Sequence, residues 1–140
     1  MAYEIRINPI DLEPNVAVGI DLPMIKTGAA FKLNYTTIDQ ALANAKNLLL
    51  TNKGERIMQP EFGCDLRSAL FENIGDELSA SIDNKIRSNF EFWLPYIFIN
   101  KLDVTPNLDY STVNISLTIS LTVNRFDTRS VQIQMTNTGI

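Results

Sequence analysis

The chain contains no histidine. That absence removes the side chain most used as a general base, as an activator of nucleophiles and as a metal ligand. There is one cysteine, Cys64, so no internal disulfide can form. One cysteine without histidine also supplies too few ligands for a structural zinc site. No histidine and no cluster of Lys or Arg lies near Cys64 in sequence to lower its pKa, so it reads as a small buried packing residue. Gly54 and Gly63 do not make a Walker or dinucleotide loop. No cofactor and no metal are therefore expected. No apolar run reaches the 18 or so residues that a membrane span needs, so no membrane partner is expected. The first residues, Met1 to Arg6, lack the charged-then-apolar layout of a signal peptide, and the expectation is assembly in the cytoplasm. Runs of basic residues are missing as well. Twelve Lys and Arg are scattered against 16 Asp and Glu, for a net charge of −4. Binding to nucleic acid through phosphate neutralisation is not expected on this balance.

What remains is the composition of one ordinary domain. The 140 residues are 45% hydrophobic and 20% charged, enough to bury a core without staples. Residues 1–35 differ from the rest. They carry Pro9, Pro14 and Pro23 with little periodicity, and read as an extended arm with short strand-like pieces. The globular domain is expected over 36–140.

Its first element is a helix at about 37–51. Thr37-Ile38-Asp39-Gln40 fits a capping box, and Ile38, Ala41, Leu42, Ala45, Leu48 and Leu49 share one helical face. Gly54, Pro60 and Gly63 punctuate a shaped loop over 53–63, and a short helical turn is expected at about 65–71. Asp65 is placed to cap that turn. A second long helix spans Asp76 to Trp93. Leu78, Ile82, Ile86 and Phe90 repeat at four-residue spacing, and Pro95 ends it.

From there the period is two. Ile97, Ile99, Leu102 and Val104 suggest one strand, closed by Pro106. Val113, Ile115, Leu117, Ile119, Leu121 and Val123 then alternate with polar residues from Asn114 to Asn124. This pattern predicts a strand over 112–124 with one buried and one wet face, about 43 Å long at about 3.3 Å per residue. Arg125-Phe126-Asp127-Thr128 is read as the turn, and Val131, Ile133 and Met135 as the start of a return strand. The fold expected is α+β: two long helices packed on a three- to four-stranded antiparallel sheet that ends in a C-terminal hairpin. No heptad repeat is visible, and a monomer is expected in isolation.

One enzymatic option survives these absences. Glu55, Glu61, Asp65 and Glu72 lie in the central segment, and glycoside hydrolysis needs only two carboxylates at the right separation. The competing view is that 16 acidic residues in 140 bring some together by chance, mostly in solvent.

The segment from Gly54 to Leu66, Gly-Glu-Arg-Ile-Met-Gln-Pro-Glu-Phe-Gly-Cys-Asp-Leu, is distinctive, and Leu70-Phe71-Glu72-Asn73 follows it. It closely resembles the central motif of the baseplate wedge family of contractile-tailed phages. A bacterial counterpart of that family is the sheath-initiating baseplate subunit of type VI secretion systems. Leu48-Leu49-Leu50-Thr51 supplies the family's preceding helix end, and the likeness runs over about 37–135. The resemblance implies a non-enzymatic structural subunit in the virion's tail baseplate. Its implied partners are other wedge proteins, the tail sheath protein, and tail tube or hub proteins. It also implies that the C-terminal sheet offers an edge to which sheath arms add as strands. A lysozyme-like peptidoglycan hydrolase is the alternative. Many members carry Glu-Pro-Arg after the second long helix, where this chain reads Leu94-Pro95-Tyr96. A contact there would rest on Trp93, Leu94, Pro95 and Tyr96 through apolar and aromatic surface. The interface residues implied are Glu55, Arg56, Pro60, Glu61, Phe62, Gly63 and Asp65 in the loop, those four at the end of the helix, and Val131, Ile133 and Met135 in the hairpin. From the residues alone, Phe62, Leu66, Leu70 and Phe71 are expected to pack inward. The alternating strand reads equally well as an edge or as the centre of the sheet.

Overall fold

The computed structural model describes residues 7–22, 24, 26–27, 30–72, 76–107 and 109–136. Met1 to Arg6, Pro23 and Asn73, all used above, lie outside the described residues. The arm opens with a single 3-10 turn, Pro9–Leu12, followed by β1 (Gly19–Ile20), β2 (Lys26–Thr27), β3 (Ala30–Phe31) and β4 (Leu33–Asn34). β1 pairs with β4 and β2 with β3, both antiparallel. The arm is fastened to the next helix by polar side chains. The Asp11 carboxylate accepts from the Thr37 N–H and hydroxyl at 2.8 and 2.6 Å, and Lys46 donates to the Leu22 carbonyl at 2.9 Å.

Helix α1 covers Thr37–Leu50. Its cap is Thr36, one residue before the threonine the sequence suggested. The Thr36 hydroxyl accepts from the Asp39 N–H at 3.3 Å and donates to the Asp39 carboxylate at 2.7 Å. The cap is therefore a Thr-x-x-Asp pair closed through the two side chains, with Asp39 in the place given to the Gln40 amide in the sequence pattern. Ile38, Ala41, Ala45, Leu48 and Leu49 are buried, as their spacing predicts. Helix α2 covers Leu66–Glu72 and α3 covers Asp76–Trp93. Leu78, Ile82, Ile86 and Phe90 form the buried stripe of α3. On α2, Leu66, Ala69 and Leu70 are buried, whereas Phe71 is 65% exposed and corrects the inward expectation. It sits one residue past Leu70, about 100° further round the helix.

The C-terminal sheet has β5 (Ile97–Asn107), β6 (Thr112–Leu121) and β7 (Asn124–Thr136) in the order β5-β6-β7, all antiparallel. The alternating strand is thus the centre, and β5 and β7 are the edges. β6 ends at Leu121, three residues early, because Thr122-Val123 forms a two-residue turn and Asn124 already pairs with Leu121. Arg125 to Thr128 belong to β7 and are not the turn, and Val123 is exposed. β5 has a bulge at Asn100, where the register shifts between Ile99 and Lys101. The extra residue lets odd Ile97 and Ile99 and even Leu102 and Val104 all face the helices. The Asn100 side chain is used as well. It accepts from the Ser120 hydroxyl at 2.7 Å, and Ser120 is fully buried on the polar face of β6. Helix α3 packs on β5, α1 on β7 and β6, and α2 on α3. Val113, Ile115, Leu117, Ile119, Ile133 and Met135 meet the helices in one core.

Candidate functional site

The direction of the main-chain groups in the regularly paired part of the sheet follows from one hydrogen bond and the register. The Thr122 N–H donates to the Tyr96 carbonyl at 3.0 Å, next to the Ile97–Leu121 pair. In an antiparallel ladder, alternate residues bond to the same neighbour. Even residues of β6 from Ser120 back to Thr112 therefore bond to β5, and Val113, Ile115, Leu117 and Ile119 bond to β7. Their partners Met135, Ile133, Val131 and Arg129 bond back. The alternate residues of β7, Thr128, Ser130, Gln132 and Gln134, direct their N–H and C=O groups away from the sheet. The same arithmetic on β5, past the bulge, makes Pro106 an outward residue, paired with Val113. That is the orientation in which a strand proline loses no ladder bond. It also marks β5 as the guarded edge, whereas β7 carries neither proline nor lysine along its 13 residues.

Side chains on β7 alternate accordingly. Ile133 and Met135 are buried and Val131 is half-buried against the core, while Ser130, Gln132 and Gln134 are exposed. Of the hairpin residues singled out from sequence, Val131, Ile133 and Met135 thus face inward. Surface chemistry on this strand belongs to their polar neighbours and to the main chain. Arg129, which the sequence reading missed, closes the upper end of this edge. It donates to Asp39 on α1 at 3.0 Å, to Asp127 at 2.5 Å and to the Thr128 carbonyl at 3.1 Å. Partial burial opposes its charge, but the two carboxylates outweigh that and raise its pKa.

The loop and the end of α3 form a second surface. Arg56 lies over the Phe62 ring at 3.9 Å, and Phe62 meets Trp93 edge-on at 5.2 Å. Phe62, Gly63 and Leu94 are buried, Trp93 is half-buried, and Glu55, Pro60, Glu61 and Pro95 are exposed. The loop is stapled from within. Gly54 N–H donates to the Pro60 carbonyl at 2.6 Å, Glu55 accepts from the Asn52 side chain at 2.9 Å, and Cys64 N–H donates to Leu48 at 3.3 Å. Asp65, at φ +50, accepts from the Ser68 hydroxyl at 2.8 Å. These staples hold Ile57 and Met58 at the tip, 94% and 91% exposed. Tyr96 stands apart from this group, with its hydroxyl accepting from Asn44 on α1 at 2.7 Å. Burial pushes the Cys64 thiol up to about 12, so it stays protonated and unreactive at neutral pH. No helix among the described residues is long and apolar enough to cross a membrane.

Comparisons with known proteins agree with this architecture. A chain described as a tail lysozyme of Geobacter sulfurreducens superposes with a TM-score of 0.62 at 18% identity, covering 81% of this chain and 95% of that one. A chain of the anti-feeding prophage baseplate gives 0.56 at 20% identity, covering 84% and 83%. At those identities the likeness is one of fold. The sequence matches go further. Baseplate wedge protein gp25 of Enterobacteria phage T4 is 32% identical over 102 residues, 70% of this chain and 77% of that protein. The profile of the family "Baseplate wedge protein gp25" matches residues 35–128, from the cap of α1 into β7. With a family match over two thirds of its length and a relative 32% identical, the chain belongs to the gp25 family of baseplate wedge proteins, structural components of the phage tail baseplate.

Proposed function

We propose that this wedge subunit is non-enzymatic, docks on neighbouring wedge proteins through its stapled loop, and templates the tail sheath by accepting a sheath strand on the edge of β7. The observation that carries the reading is the row of outward main-chain groups at Ser130, Gln132 and Gln134, with which no other described strand pairs, on the edge that lacks proline and lysine. Edge stretches without proline or charge, as β7 is from Ser130 to Thr136, are rare in free proteins because they recruit other strands, so one that persists is best understood as a place for a partner. Ile57 and Met58 support the docking half of the proposal. A loop closed by its own hydrogen bonds that exposes two large apolar side chains gives up less conformational freedom on binding than an open one would. Trp93 and Pro95 extend the candidate docking surface, Tyr96 offers a separate contact beside α1, and tail tube or hub proteins are further candidate partners. The division into an arm over 1–35 and a wedge domain over 36–140 is part of the same proposal.

Amide hydrogen exchange tests the strand addition. In the free chain Ser130, Gln132 and Gln134 are expected to exchange fast while Val131 and Ile133 are slow. On co-assembly with the cognate sheath protein, the three fast amides are expected to slow by roughly a hundredfold, the factor set by about 2.7 kcal/mol of opening free energy. Unchanged rates at all three would remove the proposal.

The tail lysozyme name of one structural neighbour motivates a second assay. Glycosidic cleavage needs one carboxyl held protonated in an apolar site beside an ionised one. Glu55 and Glu61 are exposed, and Asp65 is half-buried and takes a hydroxyl hydrogen bond. Purified protein is expected to leave peptidoglycan intact at every pH from about 4 to 8, the span over which carboxylate pairs work. Turbidity loss above a buffer control at any pH in that span would restore the hydrolase reading.

A further inference from the structure

An edge that accepts a strand has a register problem. Side chains of β7 repeat with period two: polar at Ser130, Gln132 and Gln134, apolar at Val131, Ile133 and Met135. A one-residue slip of an added strand would turn its apolar face to solvent and is excluded. A two-residue slip keeps every side chain on its proper face, and nothing in this repeated pattern opposes it. A template that tolerated such slips would start each sheath subunit at a different height.

The end of the edge supplies what the pattern lacks. Thr128 is the next outward residue beyond Ser130, and its carbonyl is already taken by the Arg129 guanidinium at 3.1 Å. The guanidinium is held from two further sides, by Asp127 on its own strand and by Asp39 at 3.0 Å. Asp39 is itself fixed in the first turn of α1 by the Thr36 hydroxyl at 2.7 Å. With three acceptors in place, the planar, permanently charged fork is held across the end of the edge. Arg129 also pairs inward with Ile119, so its side chain lies on the helix face, where the apolar residues of an added strand would run.

We propose that Arg129 is the register stop of the accepting edge. It confines an added strand to the window from Ser130 downstream and fixes its height on β7. This rests on the strand-accepting role proposed above. The partner it fits is a short segment of alternating apolar and polar residues. Its apolar side continues the Val131–Ile133 row, and its amides or hydroxyls face Gln132 and Gln134. A shift of two residues toward Asp127 meets a carbonyl already bonded. A shift the other way forfeits the pair at Ser130.

Disulfide mapping of the co-assembly reads the register directly. The chain carries Gln132→Cys, with native Cys64 buried, and single cysteines are walked along the strand-donating arm of the cognate sheath protein. With Arg129 present, one sheath position is expected to dominate. With Arg129→Met, which keeps the alkyl stem and removes the fork, positions two residues away are expected to appear and the dominant crosslink to fall to about half or less. Arg125→Met is the control. It deletes a guanidinium from the same strand, one that stacks over Phe98 at 4.3 Å, and is expected to keep the single register. Should Met at 129 fail to fold by circular dichroism, Arg129→Lys carries the test, because an ammonium has no fork to span both carboxylates and the carbonyl. A single register in the folded 129 variant overturns the proposal, as does spreading in both the 129 and 125 variants. Absence of any crosslink with Arg129 present would instead refute the strand-accepting role on which it rests.

Discussion

Replacing Gly63 by alanine is expected to cost a large part of the stability that a domain of this size possesses. Gly63 is buried with φ at +128, a conformation that L side chains rarely adopt. A Cβ built there lands on the Thr51 carbonyl oxygen and within 3.0 Å of the Thr51 and Asn52 carbonyl carbons. Those atoms are main chain at the end of α1 and cannot swing aside. The strained φ alone costs about 1–3 kcal/mol, and relieving the clash means pulling the loop off the helix. That movement would break the Cys64–Leu48 hydrogen bond and shift Phe62 from Trp93. A total of about 4 kcal/mol or more is expected, against the 5–15 kcal/mol by which domains are stable. Gly54→Ala is the matched control. Gly54 also has a positive φ, +90, but its Cβ would meet nothing within 4 Å, so about 1–2 kcal/mol is expected. Urea midpoints measured on both variants check the difference. Equal shifts would mean that the loop is not seated on α1 as described.

The same contrast explains what could be read from sequence. α1 and α3 were legible because burial on one face imposes a period that survives in any context, and Leu78, Ile82, Ile86 and Phe90 state it plainly. The alternation of Val113 to Leu121 was equally clear, and the α+β class follows from the two periods together. The reversal of the hairpin was not. Thr122 and Val123 continue the alternation through the turn itself, and neither is a residue that a two-residue turn favours. The polar stretch Arg125 to Thr128 therefore looked like the loop. The bulge at Asn100 left a trace in the change of apolar parity from Ile99 to Leu102, but its partner Ser120 sits twenty residues away on another strand. The cap of α1 slipped by one because Thr36 and Thr37 both fit a box and only geometry chooses between them.

The candidate site divides in the same way. The loop motif was readable as a motif, yet Phe62, Gly63 and Leu94 turn out to be the part that holds it together, and Ile57 and Met58 the part that faces out. On the hairpin, the buried residues carry the periodic signal and so attract notice. The residues that matter for an added strand are their polar neighbours, together with Arg129. Which of them point outward depends on strand order and register, and neither is encoded in one strand alone.

That outward assignment makes one substitution unusually clean. The N–H groups of Gln132 and Gln134 belong to no ladder bond among the described residues, so Gln132→Pro with Gln134→Pro leaves the β6–β7 pairing at Val131, Ile133 and Met135 in place. The variant is expected to keep its fold, with an unchanged circular dichroism spectrum. For an incoming strand the change is severe. Two of its carbonyls lose their donors and meet pyrrolidine rings instead. At about 1–3 kcal/mol for each carbonyl left unmatched, seeding should fall about thirtyfold or more. The measurement is polymerisation of the cognate sheath protein, seeded by the unaltered chain and by the folded double-proline variant. The account predicts that the unaltered chain seeds and the variant does not. Equal seeding by both would contradict it, and would move the sheath contact to the loop around Pro60 or to the N-terminal arm.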